Sequence, residues 1–180
     1  MSASAFITAL QETLRKEGRL SNNVADSGGI TDYGISLRFL KLLPLIDADV
    51  TGDGHVNEDD IRALEPSIVA KLYRKYFWDY YRLDEIMHDR IAIKAFDMLV
   101  NMRSVVAAKC MQRALRACAI TVKEDGIIGT KTIDAINEIR DYKNLLTAMR
   151  SESFGIYQLI AAKDPSQQVF LQGWKNRAYS

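Results

Sequence analysis

Three side chains near the N-terminus have the types and spacing for acid–base work on a glycosidic bond. They are Glu17, Asp26 nine positions on, and Thr31 five beyond that. Apolar residues at Phe6, Leu10 and Leu14 recur every four positions, the mark of an amphipathic helix, and one more step reaches Glu17 or Gly18. A carboxyl at the end of a buried helical face is desolvated and sits at the negative end of the helix dipole. Both effects raise its pKa, as a general acid at neutral pH requires. Across a turn, Asp26 and the Thr31 hydroxyl are placed to hold a water on the opposite face of a sugar. That two-sided arrangement suits glycoside hydrolysis with inversion. The same residues also fit plainer roles: Glu17 reaching solvent at a frayed helix end, and Asp26 and Thr31 capping turns.

A second set of residues has the spacing of a calcium loop. Residues 49–60 place side-chain oxygens at loop positions 1, 3, 5, 9 and 12, on Asp49, Thr51, Asp53, Asn57 and Asp60. The carbonyl of His55 falls at position 7, Gly54 at the sharp sixth position and Val56 at the apolar eighth. A bound Ca2+ here would be structural, bracing the loop and the helix after it, and no cofactor is expected at the chemistry. The alternative is an acidic loop that caps that helix, with Asn57 or Asp59 as the cap.

Around these sites the chain reads as a series of helices. Apolar periodicity predicts helices over residues 3–17, 58–64, 66–76, 84–100 and 105–117. Two more are predicted over 130–149 and 151–162, and a last one after Pro165. Gly18 is the expected stop of the first. Turn signals at Asn22-Asn23 and Ser27-Gly28-Gly29 interrupt the pattern, and predict a small hairpin pairing Arg19–Val24 with Gly29–Ile35. The boundary between two lobes is expected near residue 103.

Composition narrows the class. The chain has 180 residues, 48% of them hydrophobic, with 24 basic and 23 acidic side chains, enough to fold around a core without disulfide or metal staples. Residues 1–90 hold 11 basic and 15 acidic residues, a net of −4, and residues 91–180 hold 13 and 8, a net of +5. The basic half suits an anionic polymer but is too weakly charged for a nucleic-acid binder. Cys110 and Cys118 lie about 12 Å apart along one predicted helix, too far to bridge, and read as thiols. No apolar run is long enough for a membrane span, so no stable membrane insertion is expected. Met1–Phe6 lacks the pattern of a cleavable signal peptide, which predicts cytoplasmic synthesis and a separate route outward.

The run Glu17-Gly18-Arg19, followed by Asp26-Ser27-Gly28-Gly29-Ile30-Thr31-Asp32-Tyr33-Gly34-Ile35, resembles the signature of glycoside hydrolase family 108. The family's pattern is E-G-G and then D-x-G-G-x-T-x-x-G-I, with Arg19 replacing a glycine. Tyr73–Trp78 is similar to its Y-x-x-x-Y-W segment, and Phe96-Asp97-x-x-x-Asn101 to its F-D-x-x-x-N helix, with Arg103 replacing a further glycine. Asp125–Thr132 and Phe170–Arg177 resemble the peptidoglycan-binding lobe attached to these enzymes.

The resemblance implies a mainly α protein. A lysozyme-like catalytic lobe with a small β-hairpin at the active site, residues 1–103, would precede a helical peptidoglycan-binding lobe, residues 104–180. It implies an N-acetylmuramidase with Glu17 as catalytic acid and Asp26 and Thr31 in support. Bacterial peptidoglycan is the implied partner, and a monomer is expected. On the substrate side the candidates are Gly29, Tyr33, Trp78, Lys131 and Trp174, each with a packing or surface alternative. The family's members include phage endolysins and muramidases that serve secretion.

Overall fold

The computed structural model describes residues 3–17 and 30–180. The expected helix stop Gly18 and the expected strand Arg19–Val24 lie outside the described residues. The described chain is mainly α-helical, with one small antiparallel hairpin. It forms two compact units, Phe6–Phe77 and Trp78–Ser180 together with Met1–Ala5. The expected lobe boundary at residue 103 falls inside the second of these.

Helix α1 (Ala3–Glu17), which belongs to the first unit from Phe6 onward, buries Ala9 and Thr13, while Phe6, Leu10 and Leu14 are half-buried beside them; Ala5, before Phe6, is also buried. The expected stripe is therefore displaced by one residue. Small side chains take the line of closest approach and the larger ones flank it. The Arg74 guanidinium lies 5.2 Å from the centre of the Phe6 ring, a cation–π contact.

The hairpin differs from the expected one. Strands β1 (Thr31–Asp32) and β2 (Ile35–Ser36) pair with Thr31 opposite Ser36 and Asp32 opposite Ile35. The chain thus reverses within the segment expected to be a single strand. Tyr33 and Gly34 make the reversal at φ 50° and 78°, the paired left-handed conformation of a two-residue turn whose twist matches that of its strands. Ser36 then caps α2 (Leu37–Leu40), its Oγ accepting from Phe39 N at 3.1 Å.

Short helices α3 (Leu45–Ala48) and α4 (Glu58–Arg62) flank the 49–60 loop, and α5 (Pro66–Tyr73) starts with a proline in its first turn. The chain continues past Tyr73 as a π-helical turn, Arg74–Asp79, where an uninterrupted helix to 76 was expected. Phe39, Tyr73 and Phe77 cluster with ring centres 5.5 Å apart in successive pairs.

In the second unit, a 3-10 turn at Leu83–Glu85 precedes α6 (Asp89–Asn101) and α7 (Ser104–Ala117). α6 begins five positions after the expected start at residue 84. Arg82 adopts φ 56°, and Ile86 is extended. Helices α8 (Thr130–Glu138) and α9 (Tyr142–Lys163) replace the expected pair 130–149 and 151–162. Asp141, not Ser151, supplies the cap. Its Oδ1 accepts from Lys143 N at 3.1 Å and Asn144 N at 3.2 Å, so the break falls before residue 142 and Ser151 lies mid-helix.

Leu145, Met149, Ser153, Tyr157 and Ala161, four positions apart, form a buried ridge along α9. Helices α7 and α10 (Leu171–Tyr179) pack against α9, making it the axis of the unit.

Candidate active site

The site is best defined at the β1–β2 hairpin. Thr31 is half-buried on β1. The buried Asp32 beside it accepts the Tyr33 N–H on Oδ1 at 3.0 Å. Tyr33 sits in a left-handed conformation that costs an L-residue about 1–2 kcal/mol, and its carbonyl accepts the Tyr73 hydroxyl at 3.0 Å. Tyr73 is itself only 1% exposed. Helix α5 therefore pins the turn that carries Thr31. Asp26 and Gly29 lie outside the described residues, as does the side chain of Glu17 at the last position of α1.

Two features here went unread in the sequence. Asp32 is one of the unspecified positions of the family motif in the sequence, but in the structure it is a buried carboxylate adjoining Thr31. The other is an ion cluster: Asp47 Oδ2 accepts from Lys75 Nζ and from the Tyr76 hydroxyl, each at 2.6 Å, tying α3 to the π-helical turn. The hydrogen bond from Lys75, then that from Tyr76, holds the Asp47 carboxyl below its usual pKa. Burial and the Asp47 contact raise the Tyr76 phenol. Nothing in local spacing joins residues 28 or 29 positions apart, so only the fold reveals this cluster.

The 49–60 loop is tightly self-bonded. Asp49 accepts the N–H groups of Gly52, Asp53 and Gly54 at 2.7, 3.1 and 2.8 Å. Gly52 and Gly54 take φ 77° and 85°, the left-handed conformation a sharp loop needs. Asp53 accepts from His55 N, and Thr51 Oγ1 donates to Asp60. Asn57 caps α4, and Asp60 accepts back from Asn57 N at 2.8 Å, completing a capping box.

Asp60 is fully buried, and its other oxygen accepts from Val50 N and Thr51 N. Burial would raise its pKa, but the backbone N–H groups of Asn57, Thr51 and Val50 outweigh it, leaving the carboxyl below its usual value. The all-oxygen donor set suits a hard cation. Both Asp60 oxygens, however, already serve the backbone, and among the described residues no three His, Cys, Asp or Glu side chains converge as a metal cage.

The remaining candidates fall in the second unit. Trp78 is 1% exposed, its ring tilted against Phe96 with centres 5.7 Å apart, and its indole N–H is bonded to Asp84 at 2.9 Å. It is a core residue and offers no open ring face to a sugar. Lys131 is exposed on α8, and Trp174 is half-buried on α10, stacked on Tyr157 at 5.3 Å. Cys110 is buried and Cys118 half-buried, both as free thiols. Burial pushes the Cys110 pKa up to about 11, which keeps it protonated and unreactive at neutral pH.

Residues 10–102, which contain the hairpin and the 49–60 loop, match the family model described as glycosyl hydrolase 108. The chain belongs to this family. As a glycosyl hydrolase 108 protein it is a glycoside hydrolase, and the hairpin is the described part of its candidate active site. Residues 106–179 match a second model, described as "Predicted Peptidoglycan domain". The structure of Brucella abortus SagA is similar in fold, with a TM-score of 0.70 and 18% identity over 98% of this chain and 95% of that one. No curated protein matches the sequence.

Proposed function

We propose that this chain is a muramidase that hydrolyses the β-1,4 bond between N-acetylmuramic acid and N-acetylglucosamine in bacterial peptidoglycan. The observation that carries the reading is the tandem order of the two matched regions, a glycosyl hydrolase 108 region followed by a peptidoglycan domain. Function is assigned to residues 1–103 for cleavage and 104–180 for holding the wall.

In the proposed mechanism Glu17 protonates the leaving glycosidic oxygen. Asp26 accepts a proton from a water that Thr31 helps to orient, and that water attacks the anomeric carbon from the opposite face. The product is inverted, and exchange with solvent returns a proton to Glu17 and removes one from Asp26. Pinning of the hairpin by Tyr73 supports the reading, because a water-holding hydroxyl must be fixed to within a fraction of an ångström. A calcium ion at Asp49, Thr51, Asp53, the His55 carbonyl, Asn57 and Asp60 belongs to the proposal only as a structural brace. The biological role proposed is to open the periplasmic wall, for protein or toxin release or for phage-type lysis.

Mass spectrometry of fragments released from purified sacculi tests the reading. Reducing N-acetylmuramic ends from the wild type, and none from Glu17→Gln, are expected. Anhydro ends would replace water attack with intramolecular closure and make the enzyme a lytic transglycosylase. Release by neither protein, from sacculi that both bind, would leave only a binding module.

A further inference from the structure

Two cavities of about 570 and 600 Å³ open in the region matched by the peptidoglycan domain. The first lies among the end of α7, the α8–α9 joint and the first turns of α9; the second lies between residues 120–125 and α8. Ile120 and Glu138 line both, so the two adjoin on either side of this pair as neighbouring parts of one grooved face. Each half has the size of a small-ligand site.

The lining says what kind of ligand fits. No aromatic side chain faces either cavity, so the groove lacks the ring platform on which a sugar stacks. Ala117, Ala135 and Ala148 leave shallow apolar room for small side chains. Charges of both signs stand over them. Asp125 is engaged by Gln112 and Ile127, and Asp141 caps α9; Lys123 and Asp134 stand beside Lys131 in the second cavity, and among the described residues no side-chain hydrogen bond or ion pair holds Lys131, Arg140 or Glu138.

Lys131 is also badly placed for stability. It is the second residue of α8, at the positive end of the helix dipole, where a cation is unfavourable. The N-cap Gly129 provides no side chain to offset this. A carboxylate at that end of the groove satisfies both the helix and the lysine.

We propose that this groove seats the stem peptide of peptidoglycan, an alanine-rich peptide bearing carboxylates and, on its diamino acid, an ammonium group. Lys131 and Arg140 take the carboxylates, Glu138 takes the ammonium, and the alanine-lined floor takes the methyl groups. The assignment rests on the wall-hydrolase reading and deepens it. The protein would then recognise peptide while it cuts glycan, and would favour wall that still carries its stems.

The test uses the full chain with two kinds of probe. Free L-Ala-D-Glu-meso-diaminopimelate-D-Ala is titrated by calorimetry against the wild type, Lys131→Glu and Thr147→Trp, the last filling the groove from α9. Wall binding and fragment release are measured in parallel on intact sacculi and on glycan strands stripped of stems by an amidase.

The tetrapeptide is expected to bind the wild type, and each substitution to weaken it at least about ten-fold. Stripped strands should be held correspondingly less well. Lys131→Glu replaces an unfavourable charge at the helix start with a favourable one, so lost binding with a melting temperature no lower than the wild type's reports recognition and not folding. If stripped strands are bound and cut as well as intact sacculi, or the tetrapeptide does not bind, the groove assignment falls while the wall-hydrolase reading stands. If neither wall substrate is bound or cut, the wall-hydrolase reading falls, and the groove assignment with it.

Discussion

Asp60 accepts the N–H groups of Val50, Thr51 and Asn57 and the Thr51 hydroxyl while fully buried. Asp60→Ala would orphan several of these donors at roughly 1–3 kcal/mol each where they stay buried, so a loss of about 2–3 kcal/mol in urea unfolding is expected. The carboxyl's folded pKa is depressed, so its contribution is complete above the unfolded Asp value of about 3.9 and is lost as pH falls through the folded pKa. The stability of Asp60→Asn should therefore fall less steeply with acid below about pH 4 than that of the wild type. Equal acid slopes would mean that Asp60 does not carry the charge assigned to it. A second expectation concerns Tyr73→Phe, which removes the donor to the Tyr33 carbonyl for about 1 kcal/mol of stability and lowers kcat more than it changes KM. At this scale the sequence was legible for Asn57 as a cap, because cap spacing is local, whereas Asp60 read as a loop ligand and its return bond in the capping box did not. The sequence was silent on the Tyr73–Tyr33 contact, which joins residues 40 positions apart.

Elements were legible where one signal dominated. The span of α1 and the start of α5 at Pro66 follow from periodicity and proline, as expected. The hairpin shows the opposite case. Its segment, Thr31-Asp32-Tyr33-Gly34-Ile35-Ser36, contains two strands and a turn, but tyrosine at a left-handed position is not a usual turn signal. Likewise Asp141 and Ser151 both have cap chemistry, and only burial of Met149 and Ser153 on one ridge keeps α9 continuous through Ser151.

The 49–60 loop carries its prediction at this same scale. Its own hydrogen bonds hold it together, so calcium, where it binds, adds the stabilisation given by mass action on the folded state. At 1 mM Ca2+ the melting temperature should exceed that in chelator, and Asp53→Ala should abolish the difference while leaving the melting temperature in chelator nearly unchanged. Identical melting curves with and without calcium would leave the capping box and the Asp49 and Asp60 bonds as the whole brace.

Across the second unit, two sequence motifs read separately prove to be one structural device. Lys94, 3% exposed, pairs with Asp97 at 3.0 Å and donates to the Arg177 carbonyl at 3.1 Å, while Arg177 Nε lies 3.5 Å from Asp97. Asp97 belongs to the segment resembling F-D-x-x-x-N, and Arg177 ends the Phe170–Arg177 motif. In the expected Asp97–Asn101 network, the Asn101 side chain donates to the Asp97 carbonyl at 2.7 Å. The Asp97 carboxylate instead anchors α10 to α6.

This argues that α6, although inside the hydrolase match, does not stand without the helices beyond it. α6 contacts α7 and α9, and most of its residues are buried. Removing one member of a buried ion cluster typically costs about 3–5 kcal/mol, whereas replacing the pair by apolar groups of similar volume is far milder. Asp97→Leu should therefore destabilise the full chain by that amount, and Lys94→Met added to it should restore much of the loss. A fragment of residues 1–103 would lose Arg177 together with α7 and α9, leaving the α6 charges and apolar face open to water. The contribution of Trp78 packed on Phe96 should be lost from its near-UV circular dichroism even where helical content persists. A fragment melting as cooperatively as the full chain would show that the catalytic region folds by itself and that the Lys94–Asp97–Arg177 cluster is dispensable to it.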